Sequence, residues 1–256
     1  MLLVACPATA DPIQVKYTEG VTRGFPVLRS LSGEKLAQGE LAQIPRGGDV
    51  VENRLTFRFA DGSVYDERVV FSQRDVFTLL SYRIVHRGPS FPETLDATVD
   101  RATGRYAVRY QADDDSAEET LTGAVDLPLD VYNGLLSTLM KNLPVGDSKV
   151  VQIVAFTPKP RMIKMLLTPA AEDPMRVNDA AVIATRFLIR PQLGLFASLL
   201  VADIPDVNAG SSAARLPPFS ASRGPCTSWG PSGGSIGARG PRRAPRTPRA
   251  ARDAPA

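Results

Sequence analysis

Only one histidine, His86, is present, at the end of a strand-like stretch and just before Arg87-Gly88-Pro89. As a general base it would need a positioned nucleophile or acid, and no serine stands in a nucleophile-elbow pattern. His86 therefore reads as a partly exposed strand residue. Asp113-Asp114-Asp115 with Glu118 and Glu119 offers oxygen ligands of the kind calcium takes. The segment lacks the glycine and the alternating ligand spacing of a calcium loop and reads as a solvated hairpin tip. Asp66 and Glu67 are adjacent on a predicted strand, so their carboxylates point to opposite faces and cannot cooperate. A glycosidase-type carboxylate pair could arise only from long-range folding.

Other chemistries lack their residues. The glycines form neither GxGxxG nor GxxxxGK[ST], so no nucleotide cofactor is expected. Cys6 and Cys226 lie at opposite ends of the chain, and with one histidine they imply neither a disulfide framework nor a metal centre. No catalytic residue, cofactor or metal ligand is expected, and the sequence reads as non-enzymatic. One loop stands out: Arg87 to Pro92, in which Phe91 lies between prolines, is either a rigid lip at the mouth of a pocket or a plain interstrand connection.

The elements that would position such residues are mostly strands. Asn53 to Phe59 alternates, with Leu55, Phe57 and Phe59 on one side and Arg54, Thr56 and Arg58 on the other, as a half-buried strand does. Asp61-Gly62 then supplies the positive φ of a tight hairpin, and Ser63 to Ser72 returns antiparallel. Val76 to Val85 is a third strand. Thr94 to Val99 pairs with Arg105 to Gln111 across Arg101-Ala102-Thr103-Gly104. Further strands are expected at Lys149 to Thr157, Met162 to Thr168, Ala181 to Ile189 and Leu195 to Ile204, the last also compatible in part with a short helix. Pro158 to Pro160, Pro169 to Asp179 and Pro191 to Gly194 are read as the breaks between them.

One segment has a different period. Val131, Leu135, Leu136, Leu139, Met140 and Leu143 fall at helical spacing and predict a helix over 131–143, with Asp130 as its N-cap and Pro144-Val145-Gly146 as its stop. Gly134 inside that helix is expected to weaken it by about 1 kcal/mol relative to alanine. The fold expected is mainly β: a strongly curved antiparallel sheet or open barrel wrapped on that one helix.

The order of a β-meander, then Asp126-Leu-Pro-Leu-Asp-Val-Tyr leading a short helix to Leu143-Pro-Val-Gly, then strands ending near Arg186-Phe-Leu-Ile, resembles the bacterial envelope family called domain of unknown function 3108. More loosely it is similar to periplasmic lipoprotein-carrier half-barrels. The likeness covers roughly residues 13 to 204 and lies in layout. It implies a fold and a compartment; that family brings no catalytic residues to carry over.

The two ends have characters of their own. Met1 to Ala10 is an apolar run closing on Ala8-Thr9-Ala10, the pattern signal peptidase accepts, so 1–10 reads as the remnant of an export signal with its start upstream. The mature periplasmic chain would then begin at Asp11. Leu3-Val4-Ala5-Cys6 also resembles a lipobox, which would make Cys6 a lipid anchor. No stretch reaches the roughly 18 uninterrupted apolar residues of a membrane helix. Residues 208–256 carry eight arginines against Asp253 alone, so this tail is net +7 while the body is net −4. Its Arg/Pro/Gly composition predicts disorder. One permitted set of codons for Gly224 to Gly237, shifted by one base, encodes a strand-like peptide, so the tail reads either as the product of a lost reading frame or, from its eight arginines, as a basic arm for nucleic acid or anionic lipid. Residues 11–207 form one domain with no basic stripe, and nucleic acid is not an expected partner of that body.

Three functions remain open. The first is an envelope protein holding an apolar ligand such as lipid between sheet and helix, lined by Leu135, Leu136, Leu139, Met140, Phe57 and Phe59, with Phe91 at the lip. The second is a packed structural module that binds other envelope proteins. The third, a hydrolase of envelope polymers, lacks a visible constellation.

Overall fold

The computed structural model describes residues 11–192, except positions 31, 114, 145, 178 and 179, together with 207–211. The chain is mainly β and its strand pairings are antiparallel. A nine-stranded sheet is built from β1 (Thr22–Gly24), β2 (Val27–Arg29), β3 (Lys35–Gly47), β4 (Val50–Phe59), β5 (Val64–Gln73), β6 (Phe77–Arg87), β7 (Thr94–Asp100), β8 (Arg105–Gln111) and β9 (Glu119–Ala124). From β3 to β9 neighbours in sequence are neighbours in the sheet, while β1 and β2 both pair with β3. The two edges do not meet, so the curved sheet stays open rather than closing into a barrel.

A four-stranded sheet follows: β10 (Lys149–Phe156), β11 (Pro160–Val177), β12 (Ala180–Gln192) and β13 (Val207–Ser211). Pro169 does not end a strand here. β11 runs through it with a register shift between Pro169 and Ala171, so the break read at Pro169 to Asp179 is instead the long arm of a hairpin with β12. A bulge absorbs the amide that proline cannot donate. β13 takes the first four positions of the segment read as tail. Leu195 to Ile204, Cys6, Cys226 and the rest of the tail lie outside the described residues.

Alternation decides the faces of the large sheet. Leu55, Phe57 and Phe59 point inward, opposite Glu67, Tyr65 and the Ser63 turn, and Gly62 closes that hairpin with φ +86. The inward rows become more buried along the strands. Val51, Phe71, Phe77 and Leu79 are sealed in a core that also takes Val151, Val154, Leu167, Phe187 and Ile189 from the smaller sheet. The two sheets therefore share one hydrophobic core.

The single described helix, α1 (Leu136–Asn142), is shorter than the apolar stripe predicts. Val131 makes a parallel bridge to Gln152, and Asn133 clamps Val154 through both its amide groups, so 131–133 is committed to β10 and cannot be helical. Gly134 then turns with φ +64. Asp130 is accordingly not the N-cap: its carboxylate accepts both hydrogen bonds from the Gln152 amide, at 3.0 and 2.9 Å, while the cap position is Leu135 with no side-chain cap. The stripe itself is a core stripe. Val131, Leu135, Leu139 and Met140 are buried; Leu136 and Leu143 are half-buried. Arg101 holds the preceding loop against the sheet by donating to the carbonyls of Leu79, Leu127 and Pro128.

The amino-terminal segment is laced across both layers. Ile13 N–H donates to Tyr132 Oη at 2.9 Å, the amides of Lys16 and Tyr17 both donate to Asn142 Oδ1 at 2.8 Å, and Glu19 is held by Gln43, Gln73 and the Lys141 ammonium.

Candidate functional site

The inner face is not covered uniformly. Along β4 to β6, Leu55, Phe59, Tyr65, Glu67, Ile84 and His86 stay half-buried, and the loop after β6 adds Phe91 and Glu93. Register brings them together: Leu55 opposes Glu67 and Glu67 opposes Ile84, while Phe57 opposes Tyr65 and Tyr65 opposes His86. Phe91 stacks on His86 with ring centroids 4.9 Å apart and meets Phe59 edge-on at 5.4 Å. Its loop is fixed by Gly88, whose φ is +101, and by Ser63 and Asp61, which accept hydrogen bonds from Ser90. The rings of Phe59, Phe91 and His86 gather beside two carboxyl groups, those of Glu67 and Glu93.

The Tyr82 hydroxyl donates to Glu67 at 2.9 Å and Tyr65 adds a second phenol. Burial pushes the Glu67 pKa up, and the two phenols only partly offset this. Burial likewise pushes Glu93 up and His86 down, and it raises both tyrosines. Every one of these shifts favours the uncharged form. His86 Nε2 is buried without a hydrogen-bond partner, with Glu93 Oε1 3.5 Å away. No hydroxyl nucleophile is hydrogen-bonded to it among the described residues, and the cluster is a polar spot among aromatic and aliphatic side chains.

The residues singled out from sequence divide between two regions. Leu135, Leu139 and Met140 are buried in the main core, with Leu136 packed half-buried against it; Phe57 and Phe59 belong to a separate small cluster with Leu28 and Ala37. The structure does not bring these six around one space. It does bring Phe59 to Phe91 at the open strip. His86 is more enclosed than a partly exposed strand residue, its side chain being 16% exposed, because it faces inward beneath Phe91. Asp66 and Glu67 do face opposite sides: Asp66 accepts from Arg54 and Thr56 on the outer face. Asp113 closes an exposed turn with Ser116, and Glu119 begins β9. Sequence reasoning missed Tyr65, Glu67 and Tyr82 as a group, since only the register of β5 and β6 makes them neighbours.

A titration follows from Glu67. Its folded pKa lies above the ordinary 4.5, so between those two values the folded chain keeps a proton that the unfolded chain has released. Stability therefore falls as pH rises through that window. Glu67→Gln, which keeps an oxygen acceptor for the phenols, is expected to raise the melting temperature at about pH 7 and to have no such advantage below about pH 4. Thermal melts across pH check this; a variant less stable at neutral pH would mean that the site holds an ionised carboxylate.

Compared with protein-family models, curated proteins and solved structures, the chain matches none.

Proposed function

We propose that this chain is an exported, non-enzymatic envelope protein that binds an apolar chain carrying a small uncharged polar group, such as a lipid acyl chain, along the open strip of its concave face. The observation that carries this reading is the strip itself. Half-buried Leu55, Phe59, Tyr65, Ile84 and Phe91 surround a carboxyl and an imidazole that burial drives toward their neutral forms. An apolar chain laid there removes aromatic and aliphatic surface from water, at roughly 25 cal/mol per Å². Displacement of Phe91, which stacks on His86, would open the unpartnered Nε2 to one polar group of the ligand. The layout resemblance to a bacterial envelope family supports the compartment. So does the lacing of the amino-terminal segment, which begins at Ile13 and would survive cleavage after Ala10. No helix among the described residues is long and apolar enough to cross a membrane.

A second reading, a packed module that binds other envelope proteins, is favoured by the closed layer between sheet and helix, where Leu135 and Leu139 have no exposed surface. Native mass spectrometry of the protein, gently extracted from the envelope fraction, separates the two. The expected result is a retained lipid-sized adduct whose occupancy drops in Phe91→Ala, which removes a ring from the strip. A bare protein mass for the parent would overturn lipid binding and leave the packed module.

A further inference from the structure

The opposite face of the nine-stranded sheet carries its own arrangement. The sequence shows no basic stripe, yet register makes one: Arg54, Arg68 and Arg83 stand directly opposite one another on β4, β5 and β6. Like charges at facing positions repel. Three carboxylates answer them. Asp66 takes Arg54, Glu52 takes Arg68 and Arg46 together, and Asp96 takes Arg83 and Arg109 together, so five guanidiniums share three acids. Burial works against charge on Glu52, but Arg68 and Arg46 outweigh it and hold its pKa low; Asp96 is held low by Arg83 and Arg109.

Beside this row lies a groove of about 610 Å³ whose lining includes Arg68, Arg83 and Arg105 with the hydroxyls of Ser81, Thr98 and Thr122. Its one carboxylate, Asp100, is already turned toward Thr103, accepting from both its amide and its hydroxyl. Arg83 spends Nε and Nη2 on Asp96, Arg68 spends Nη2 on Glu52, and Arg105 has no ion-pair partner among the described residues. Each guanidinium has five N–H donors in a planar fork suited to phosphate oxygens. Row and groove together hold six guanidiniums, Arg46, Arg54, Arg68, Arg83, Arg105 and Arg109, against four carboxylates, Glu52, Asp66, Asp96 and Asp100. This leaves an excess of positive charge, and an anion in the groove would relieve the facing Arg68 and Arg83.

We propose that this groove is an anion site for a ligand with two phosphate groups, the hydroxyls of Ser81, Thr98 and Thr122 receiving the polyol or sugar between them. It is independent of the apolar strip, which lies on the other face. The shared chemistry fits a free bisphosphate or the headgroup of a two-phosphate lipid. The test is titration of the full chain with fructose 1,6-bisphosphate by calorimetry, and flotation with phosphatidylcholine vesicles containing cardiolipin. At least one probe binds the parent, and Arg105→Glu, which breaks no ion pair, weakens that binding at least about tenfold. Arg58→Gln, a cation on the same face outside the groove lining, leaves it unchanged. Binding of the sugar alone assigns a soluble ligand; binding of the vesicles assigns a lipid headgroup. The proposal falls if neither probe binds, if Arg105→Glu binds as the parent does, if Arg58→Gln weakens binding equally, or if single-phosphate phosphatidylglycerol vesicles at matched charge bind as well as cardiolipin.

Discussion

Gly134→Ala is expected to destabilise the domain by about 2 to 5 kcal/mol, read as a lowered midpoint in urea or thermal unfolding. Two causes add. The residue sits at φ +64, where a side chain is strained, and a Cβ built there overlaps Val69 Cγ2 and lies 3.2 Å from Glu67 Cδ. Val69 is buried with 1% exposure, so it has nowhere to retreat. A glycine in the helix interior predicts the opposite sign, a gain of about 1 kcal/mol on replacement by alanine. A stabilised Gly134→Ala protein would mean that the turn before α1 is helical after all.

Leu139→Ala is expected to cost about 2 to 5 kcal/mol, because it empties a fully buried site between the two sheets. Leu136→Ala, one position into the half-buried side of the same helix, should cost clearly less. Paired chemical denaturation of the two variants measures the difference. Equal losses would contradict the difference in burial between the two positions.

These two residues also show how far the sequence could be read. The hairpins were legible because Leu55, Phe57 and Phe59 alternate cleanly and Asp61-Gly62 marks the turn; β7 and β8 follow from the same signals. The apolar stripe from Val131 to Leu143 correctly marks what is buried, but burial is not helicity. Val131 reaches the core from a bridge and Asn133 is held by its side chain from the turn that follows, because β10 offers both of them partners more than a dozen residues ahead. β3 was invisible for a different reason. It carries Gly39, Pro45 and Gly47, poor strand material, and Gly39 is needed because a Cβ there would lie 2.7 Å from Phe57 Cε1. β9 lacks any apolar period, being an edge strand with most of its residues exposed. Both the site of Glu67 with its two tyrosines and the arginine row depend on which residue faces which across strands. That information lies in register and not in any local window.

The lacing of the amino-terminal segment bears on the order in which the molecule can assemble. From β3 to β9 each strand closes on its predecessor, so those hairpins can form as the chain emerges, with little loop entropy to overcome. Ile13, Lys16 and Tyr17 instead wait for partners 119, 126 and 125 residues later, at Tyr132 and Asn142. Ile13 to Val15 can bridge Asp75 to Phe77 as soon as β6 begins, so the segment is fastened in two stages, first to the meander and only later to Tyr132 and Asn142. The second fastening thus waits on the loop and helix that follow the meander, and the interval between the two stages is set by the length of β7 to β9.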